Sequence, residues 1–208
     1  MGGRAGGGAG GGMGRGSASS GRAKKAMTAF EESVRNLSYE NIAIFDENGN
    51  IVFQAKGDAD SVAGGITKGK DNISIHNHPG EGYGSTISFS KEDIINAVRG
   101  DEKETRVVTK NYTYSLKRPA KGWGVNNKYY GYTVGSGGKM VDNADIKRLK
   151  QTYASIHKKV KSDLSKYINK YKGSNSTATD RANAVIAHKV NKEFAKAMGW
   201  TYTKTKVK

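Results

Sequence analysis

The sequence predicts an α/β fold in which a mixed sheet is flanked by helices, and three observations support this class. Short apolar runs with the two-residue period of strands recur between residues 39 and 116. Among them, residues 90–99 have the features of a helix that follows a strand. Residues 145–172 then repeat apolar side chains at spacings of three and four, as an amphipathic helix does, and residues 178–198 form a second helical segment with apolar residues at 185, 190, 194 and 198. This order of elements is typical of an α/β domain.

The amino-terminal region divides into a low-complexity arm and a helix. Residues 1–21 are rich in glycine with scattered arginine. Because this arm has little to bury and glycine loses much backbone entropy on ordering, we expect it to be disordered. Residues 23–37 place four apolar side chains on one face at spacings of four, four and three, which predicts a helix.

A β-hairpin is expected next. Residues 39–46 form an apolar run that closes in an Asn-Gly turn, and residues 51–55 form the return strand. Residues 57–69 read as a loop. Three more strands and one helix follow, at residues 72–76, 90–99 (the helix), 106–109 and 112–116.

The second half of the chain predicts a connector and a helical pair. Residues 118–139 are rich in glycine and tyrosine, and their aromatic side chains are expected to pack over the core edge or, as the weaker alternative, to form a binding surface. Of the two helices after them, the first has a lysine-rich outer face, and the short loop between them suggests an antiparallel pair. His157 and His188 each adjoin a lysine there and are expected at or near the surface. Residues 199–202 should pack back on the fold, and the last six residues should be loose. The predicted segments are therefore an arm (1–21), a central domain (22–140) and a basic helical extension (141–208).

The run His-Asn-His-Pro at residues 76–79 is the strongest candidate for a functional site. Residues two apart in a strand point to the same face, so His76 and His78 can reach one ion. Asp93, at the start of the helix that follows, is the expected third ligand. Two imidazoles and one carboxylate suit zinc, which keeps an open fourth position in catalytic sites.

His-x-His-Pro followed by Ser-x-x-Asp resembles the core motif of the JAMM (MPN+, JAB-like) zinc metalloproteases. The wording of the motif, with a Phe-Ser pair before the helix, is most similar to RadC-like domains and to JAB-like domains of phages and mobile elements. The resemblance covers residues 38–118, although ten residues separate Pro79 from Ser90, more than is usual in that family. It implies a JAMM-like (cytidine-deaminase-like) mixed sheet, a Zn²⁺ cofactor and hydrolysis of a peptide or isopeptide bond in a protein or peptide substrate.

The resemblance also implies roles for two further residues. Glu40, at the head of the predicted hairpin, matches the family's general base, with Glu31 and Glu32 in the preceding helix as rivals. Ser90 corresponds to the residue that donates a hydrogen bond to the developing oxyanion. In this scheme zinc lowers the pKa of its water to about 7 and the glutamate accepts the proton.

Structural alternatives exist for the same residues. A His-x-His pair is often only a half-buried polar edge of a strand. Ser90 and Asp93 also fit a common helix N-cap signature, with acidic residues favourable at the positive end of the helix. Capping does not exclude the ligand role, because a cap would fix the helix that presents Asp93.

The formal net charge of +16 is concentrated in the flanks of the chain and favours weak binding of nucleic acid there. The chain has no cysteine, which excludes disulfides and thiolate zinc sites. It has no apolar run long enough for a membrane span and no secretion signal. These features suggest the cytoplasm of a bacterial host, with association with a virion as a further option. The competing functions are a non-enzymatic phage structural or head-associated module and a RadC-like protein associated with nucleic acid.

Overall fold

The protein forms an α/β fold, which confirms the predicted class. The computed structural model describes residues 16–59, 61–62, 66–80, 87–165, 169 and 176–207. Within these residues it has a six-stranded mixed sheet, a small two-stranded sheet and four α-helices. The elements in chain order are α1 (Gly16–Val34), β1 (Asn41–Phe45), β2 (Ile51–Lys56), β3 (Ile73–Asn77), α2 (Lys91–Gly100), β4 (Glu104–Val108), β5 (Tyr112–Lys117), β6 (Tyr132–Val134), β7 (Met140–Asp142), α3 (Ala144–Asp163), α4 (Ser176–Met198) and β8 (Thr201–Lys206).

The large sheet has the strand order β2-β1-β3-β4-β5-β8. Strands β3 and β4 at its centre are parallel, and the other neighbours are antiparallel. A parallel pair needs a crossover connection, and α2 supplies it here. The predicted hairpin is confirmed as β1 and β2, and Asp46 stabilises its turn because its Oδ1 accepts the N–H groups of Asn48 and Asn50.

The two faces of the sheet bury different cores. Helix α1 packs on one face, where its Phe30 and Val34 meet Phe45 and Ile75. Helices α2, α3 and α4 pack on the other, which we call the α2 face. Residues paired across neighbouring strands have their side chains on the same face of the sheet. The register of β1, β3 and β4 therefore puts the following side chains on the α2 face: Ile42, Ile44, Ser74, His76, Thr105 and Val107.

Helix α1 begins earlier than the sequence predicted. It starts at Gly16, so residues 16–21 of the expected disordered arm are helical backbone, and it ends at Val34. Once the apolar face around Met27 is buried against the sheet, each further residue extends an existing helix at low cost. The rest of the arm, residues 1–15, lies outside the described residues.

The carboxyl-terminal segment is built into the same core as the sheet. Buried residues of α3 and α4 belong to one cluster with Val107 and Leu116 of the sheet. Helix α3 ends at Asp163, short of the predicted residue 172, and residues 166–168 and 170–175 lie outside the described part of the chain. The prediction of a loose end is wrong, because β8 pairs with β5 as an edge strand. In the described residues no helix is long and apolar enough to cross a membrane.

The connector at residues 118–139 contains structure that the sequence did not predict. Strand β6 lies within it and pairs with β7 in a separate small sheet; three-residue strands are too short to show a period. Trp123 is buried and donates its indole N–H to the backbone carbonyl of Glu102 at 3.0 Å, as expected for packing over the core edge. Tyr129 and Tyr130 instead are exposed and have positive φ angles.

Candidate metal centre

Strand β3 presents both histidines of the motif to the α2 face. His76 lies in the strand and is 4% exposed. His78 follows the strand, and its backbone N–H donates to the carbonyl of Val108 at 3.0 Å. This bond continues the strand pairing past Asn77, so the side chain of His78 lies on the same face as that of His76. The two rings therefore lie side by side, with their Nε2 atoms 3.2 Å apart.

The N-terminus of α2 presents Asp93 to these rings. Ser90 caps the helix: its Oγ accepts the N–H of Asp93 at 3.1 Å, and its own N–H donates to Asp93 Oδ2 at 2.7 Å. This reciprocal capping box confirms the structural alternative for the Ser-x-x-Asp motif. The same hydrogen bond orients the Asp93 carboxylate towards the two histidines, so the capping interaction also positions the candidate ligand.

The three side chains have spacings that fit a zinc ion. Asp93 Oδ1 lies 3.5 Å from His76 Nε2, and Asp93 Oδ2 lies 3.5 Å from His78 Nε2. One donor atom from each residue falls within 4.8 Å of the others. Ligands bound to tetrahedral zinc at their usual bond lengths lie about 3.3–3.6 Å from one another. Two imidazoles and a carboxylate, with room beside them in a cavity, are the donor set of a catalytic zinc site.

A backbone carbonyl fixes the tautomer of His78. Its Nδ1 lies 3.1 Å from the carbonyl oxygen of Ile87, so Nδ1–H donates there and Nε2 keeps its lone pair for a metal. Burial alone lowers the pKa of His78, but the Asp93 carboxylate, the Ile87 carbonyl and Glu40 together outweigh burial and raise it. Burial alone raises the pKa of Asp93, yet the two imidazoles hold it well below its usual range. Asp93 is therefore ionised and ready to bind a cation.

Glu40 lies at the rim of the same site. It lines the cavity with the two histidines and is 9% exposed. Asn77, which lies between the two histidines in the sequence, holds the backbone on both sides of Glu40. Its Nδ2 donates to the carbonyl of Tyr39 at 2.9 Å, and its Oδ1 accepts the N–H of Asn41 at 2.7 Å. Burial raises the pKa of Glu40, the two imidazoles lower it, and the net direction is upward. A raised pKa suits a group that must accept and return protons near neutral pH.

The two rival glutamates lie elsewhere. Glu31 is on α1, across the sheet, where its Oε1 pairs with Arg106 Nη1 at 2.8 Å. Glu32 is exposed on the same helix. Of the three glutamates considered from the sequence, the structure brings only Glu40 to the histidines.

The cavity in front of these residues has a volume of about 450 Å³. The residues that line it include Glu40, Ser90 and the histidines, together with the buried Ser74 and Glu102, which we call its floor. Burial raises the pKa of Glu102 to about 7, and a hydrogen bond from Ser74 only partly offsets this. The sequence analysis did not single out Glu102, because it lies in a helix-to-strand connection with no motif around it.

A buried polar network ties the carboxyl-terminal segment to the site. Asn191 on α4 donates from Nδ2 to Ser88 Oγ at 2.9 Å and to the Phe89 carbonyl at 2.8 Å. Tyr202 on β8 places its hydroxyl 2.8 Å from Ser88 Oγ. These bonds hold Ser88 and Phe89, and Ser88 directly follows Ile87, whose carbonyl orients His78. This support comes from outside residues 38–118, the part of the chain that the resemblance covers.

Comparison with known protein families, curated proteins and solved structures gave no match to this chain. The resemblance to JAMM proteases consequently rests on the sequence motif alone.

Proposed function

We propose that this protein is a zinc-dependent peptidase or isopeptidase of the JAMM type that hydrolyses an amide bond in a protein or peptide substrate. The observation that carries the proposal is the convergence of His76, His78 and Asp93 at spacings typical of zinc ligands. A buried glutamate and a hydroxyl donor line the same cavity. The motif order and the mixed α/β sheet support assignment to the JAMM class.

Each residue has a defined task in this mechanism. His76, His78 and Asp93 would hold the ion. Zinc bound there supplies a Lewis acid and lowers the pKa of its water to about 7. Glu40 accepts the proton of the attacking water and returns it to the leaving amine.

Ser90 is available as the oxyanion donor even though it caps α2. Its Oγ uses a lone pair to accept the Asp93 N–H, and a hydroxyl still has one proton to donate. That proton can reach an oxygen in the cavity that Ser90 lines. A well-placed donor of this kind contributes roughly 3 kcal/mol to stabilisation of the transition state.

The proposal is tested by separating zinc binding from turnover. Wild type should cleave members of a quenched fluorescent peptide library or of a library of lysine-linked isopeptides. A chelator should abolish cleavage, and added Zn²⁺ should restore it. Glu40→Gln keeps the size of the side chain and removes the proton acceptor, so zinc content should remain while turnover falls by about 100-fold or more.

Glu47→Gln is the matched control, because Glu47 is exposed in the hairpin turn and should tolerate the change. Zinc-loaded wild type that cleaves neither library would favour the alternative of a non-enzymatic phage module. Equal turnover by wild type and Glu40→Gln would remove the assigned base.

A further inference from the structure

The cavity continues past the proposed metal ligands to a polar floor. Ser74 lies two residues before His76 on the same face of β3, about 6.6 Å along the strand. Its register partner on β4 is Thr105, and the two hydroxyl oxygens are 2.9 Å apart. Ser74 Oγ also donates to Glu102 Oε2 at 2.5 Å. The hydroxyls and the carboxyl form one connected group, and all three residues line the cavity.

Glu102 is a buried carboxyl without a cation. It is 4% exposed, and in the described part of the chain its carboxyl is held by Ser74 alone, with no ion pair. The nearby buried carboxylate of Glu104, in contrast, forms an ion pair, in which its Oε1 lies 2.7 Å from Arg106 Nε. Burying a carboxylate with no cation beside it is costly, so a positive charge that enters the cavity would stabilise the ionised form of Glu102.

Apolar side chains lie beside the proposed metal ligands and beside this floor. Ile42 and Ile44 of β1 lie beside His76 and Ser74 in register, and Ala97 of α2 also lines the cavity. An aliphatic wall that ends in an acid matches a side chain with an aliphatic stem and a cationic head. Lysine and arginine bury their stems against such surfaces and pair at the tip.

We propose that the floor formed by Ser74, Glu102 and Thr105 is a specificity pocket for a lysine or arginine side chain adjacent to the bond that is cleaved. This inference rests on the proposed peptidase function and adds the substrate class. The backbone of the substrate lies at the proposed metal ligands, and the basic side chain extends along β3 to the carboxyl of Glu102.

The first test compares matched peptides cleaved by zinc-loaded wild type. Peptides that carry lysine or arginine beside the scissile bond should be cleaved at least about tenfold more efficiently than the same peptides with norleucine, in kcat/KM. Glu102→Gln keeps the shape and removes the charge, so this ratio should collapse towards one. Glu92→Gln is the control: Glu92 lines the same cavity but is exposed and paired with Lys91 at 3.2 Å, and its ratio should stay that of wild type.

A second test needs no turnover. N-acetyl-lysine methylamide should shift the backbone amide resonances of Ser74 and Thr105 in full-length zinc-loaded protein, and the norleucine analogue should not. Cleavage with equal efficiency for lysine and norleucine would overturn the pocket and leave the peptidase function standing. Absence of cleavage together with a lysine-specific shift would support the pocket and remove the peptidase. Equal responses to both methylamides would overturn the pocket in either case, and that measurement on wild type does not depend on whether Glu102→Gln folds.

Discussion

Replacing Asn191 with leucine should weaken both the fold and the proposed zinc site. Asn191 is 1% exposed, and its side chain makes three hydrogen bonds, to Ser88 Oγ, to the Phe89 carbonyl and from Tyr153 Oη. Leucine has a similar volume and makes none of them. At about 1 kcal/mol net for each bond, with more for a carbonyl left unpaired, the free energy of unfolding should fall by about 3–4 kcal/mol.

The same change should reach the metal site through the segment that precedes Ser90. With the Phe89 carbonyl released and Ser88 held by Tyr202 alone, the Ile87 carbonyl holds His78 Nδ1 less firmly, and loss of an orienting partner typically weakens metal binding by about 10–100-fold. Urea denaturation of metal-free protein gives the stability, and competition with a chromophoric chelator gives the zinc Kd.

Asn183→Leu is the control for this experiment. Asn183 is exposed on the same helix, so its replacement should change stability by no more than about 0.5 kcal/mol and leave zinc binding intact. The reasoning would be refuted by an Asn191→Leu protein that loses stability and retains the zinc Kd of wild type. In that event α4 supports the fold without positioning the site.

Two further predictions separate roles that the structure combines. Ser90→Gly should lower the free energy of unfolding by only a few tenths of a kcal/mol, because glycine is tolerated at an N-cap. It should nevertheless lower kcat by about 100-fold, because the hydroxyl donor is lost. An unchanged kcat would show that Ser90 acts only as a helix cap. Burial lowers the pKa of His188 to about 4, and Lys204 and other lysines add to the effect. Between pH 6.5 and 4 the unfolded chain therefore binds more protons at this residue than the folded chain does. As a result, the free energy of unfolding of wild type falls as the pH falls through this range. The ring is partly exposed and screened by solvent, so we expect His188→Gln to remove about 1 kcal/mol of this loss in urea titrations across that range. A pH dependence of stability in His188→Gln that is identical to that of wild type would contradict the assignment.

The sequence predicted those parts of the fold and site that depend on local patterns. The Asn-Gly turn between two apolar runs specifies the β1–β2 hairpin, and the structure has it at the expected residues. The period of two in β3 places His76 and His78 on one face, and the capping motif fixes Asp93 at the start of α2. Strand period and helix capping act over a few residues, so they can be read without knowledge of the fold.

The remaining features depend on contacts between distant parts of the chain. Asn191 contacts Ser88 across more than a hundred positions, and nothing near either residue signals the pair. Glu102 can be recognised as part of the cavity only from its contact with Ser74, and the parallel pairing of β3 and β4 brings the two residues together. Strand β8 did carry a local signal, an alternation of threonine with larger residues, but its terminal lysines made it look like a loose end. A lysine-rich strand is in fact suited to the edge of a sheet, where charge discourages pairing with other chains.

The central claim is tested most directly by anomalous diffraction at the zinc absorption edge from crystals of the full chain incubated with Zn²⁺. We expect one strong peak about 2.0–2.2 Å from His76 Nε2, His78 Nε2 and an Asp93 oxygen. The peak should be absent from crystals of His76→Ala/His78→Ala protein treated in the same way. A site that stays empty at saturating zinc, or a peak that appears only at other side chains, would contradict the zinc centre and the hydrolase built on it.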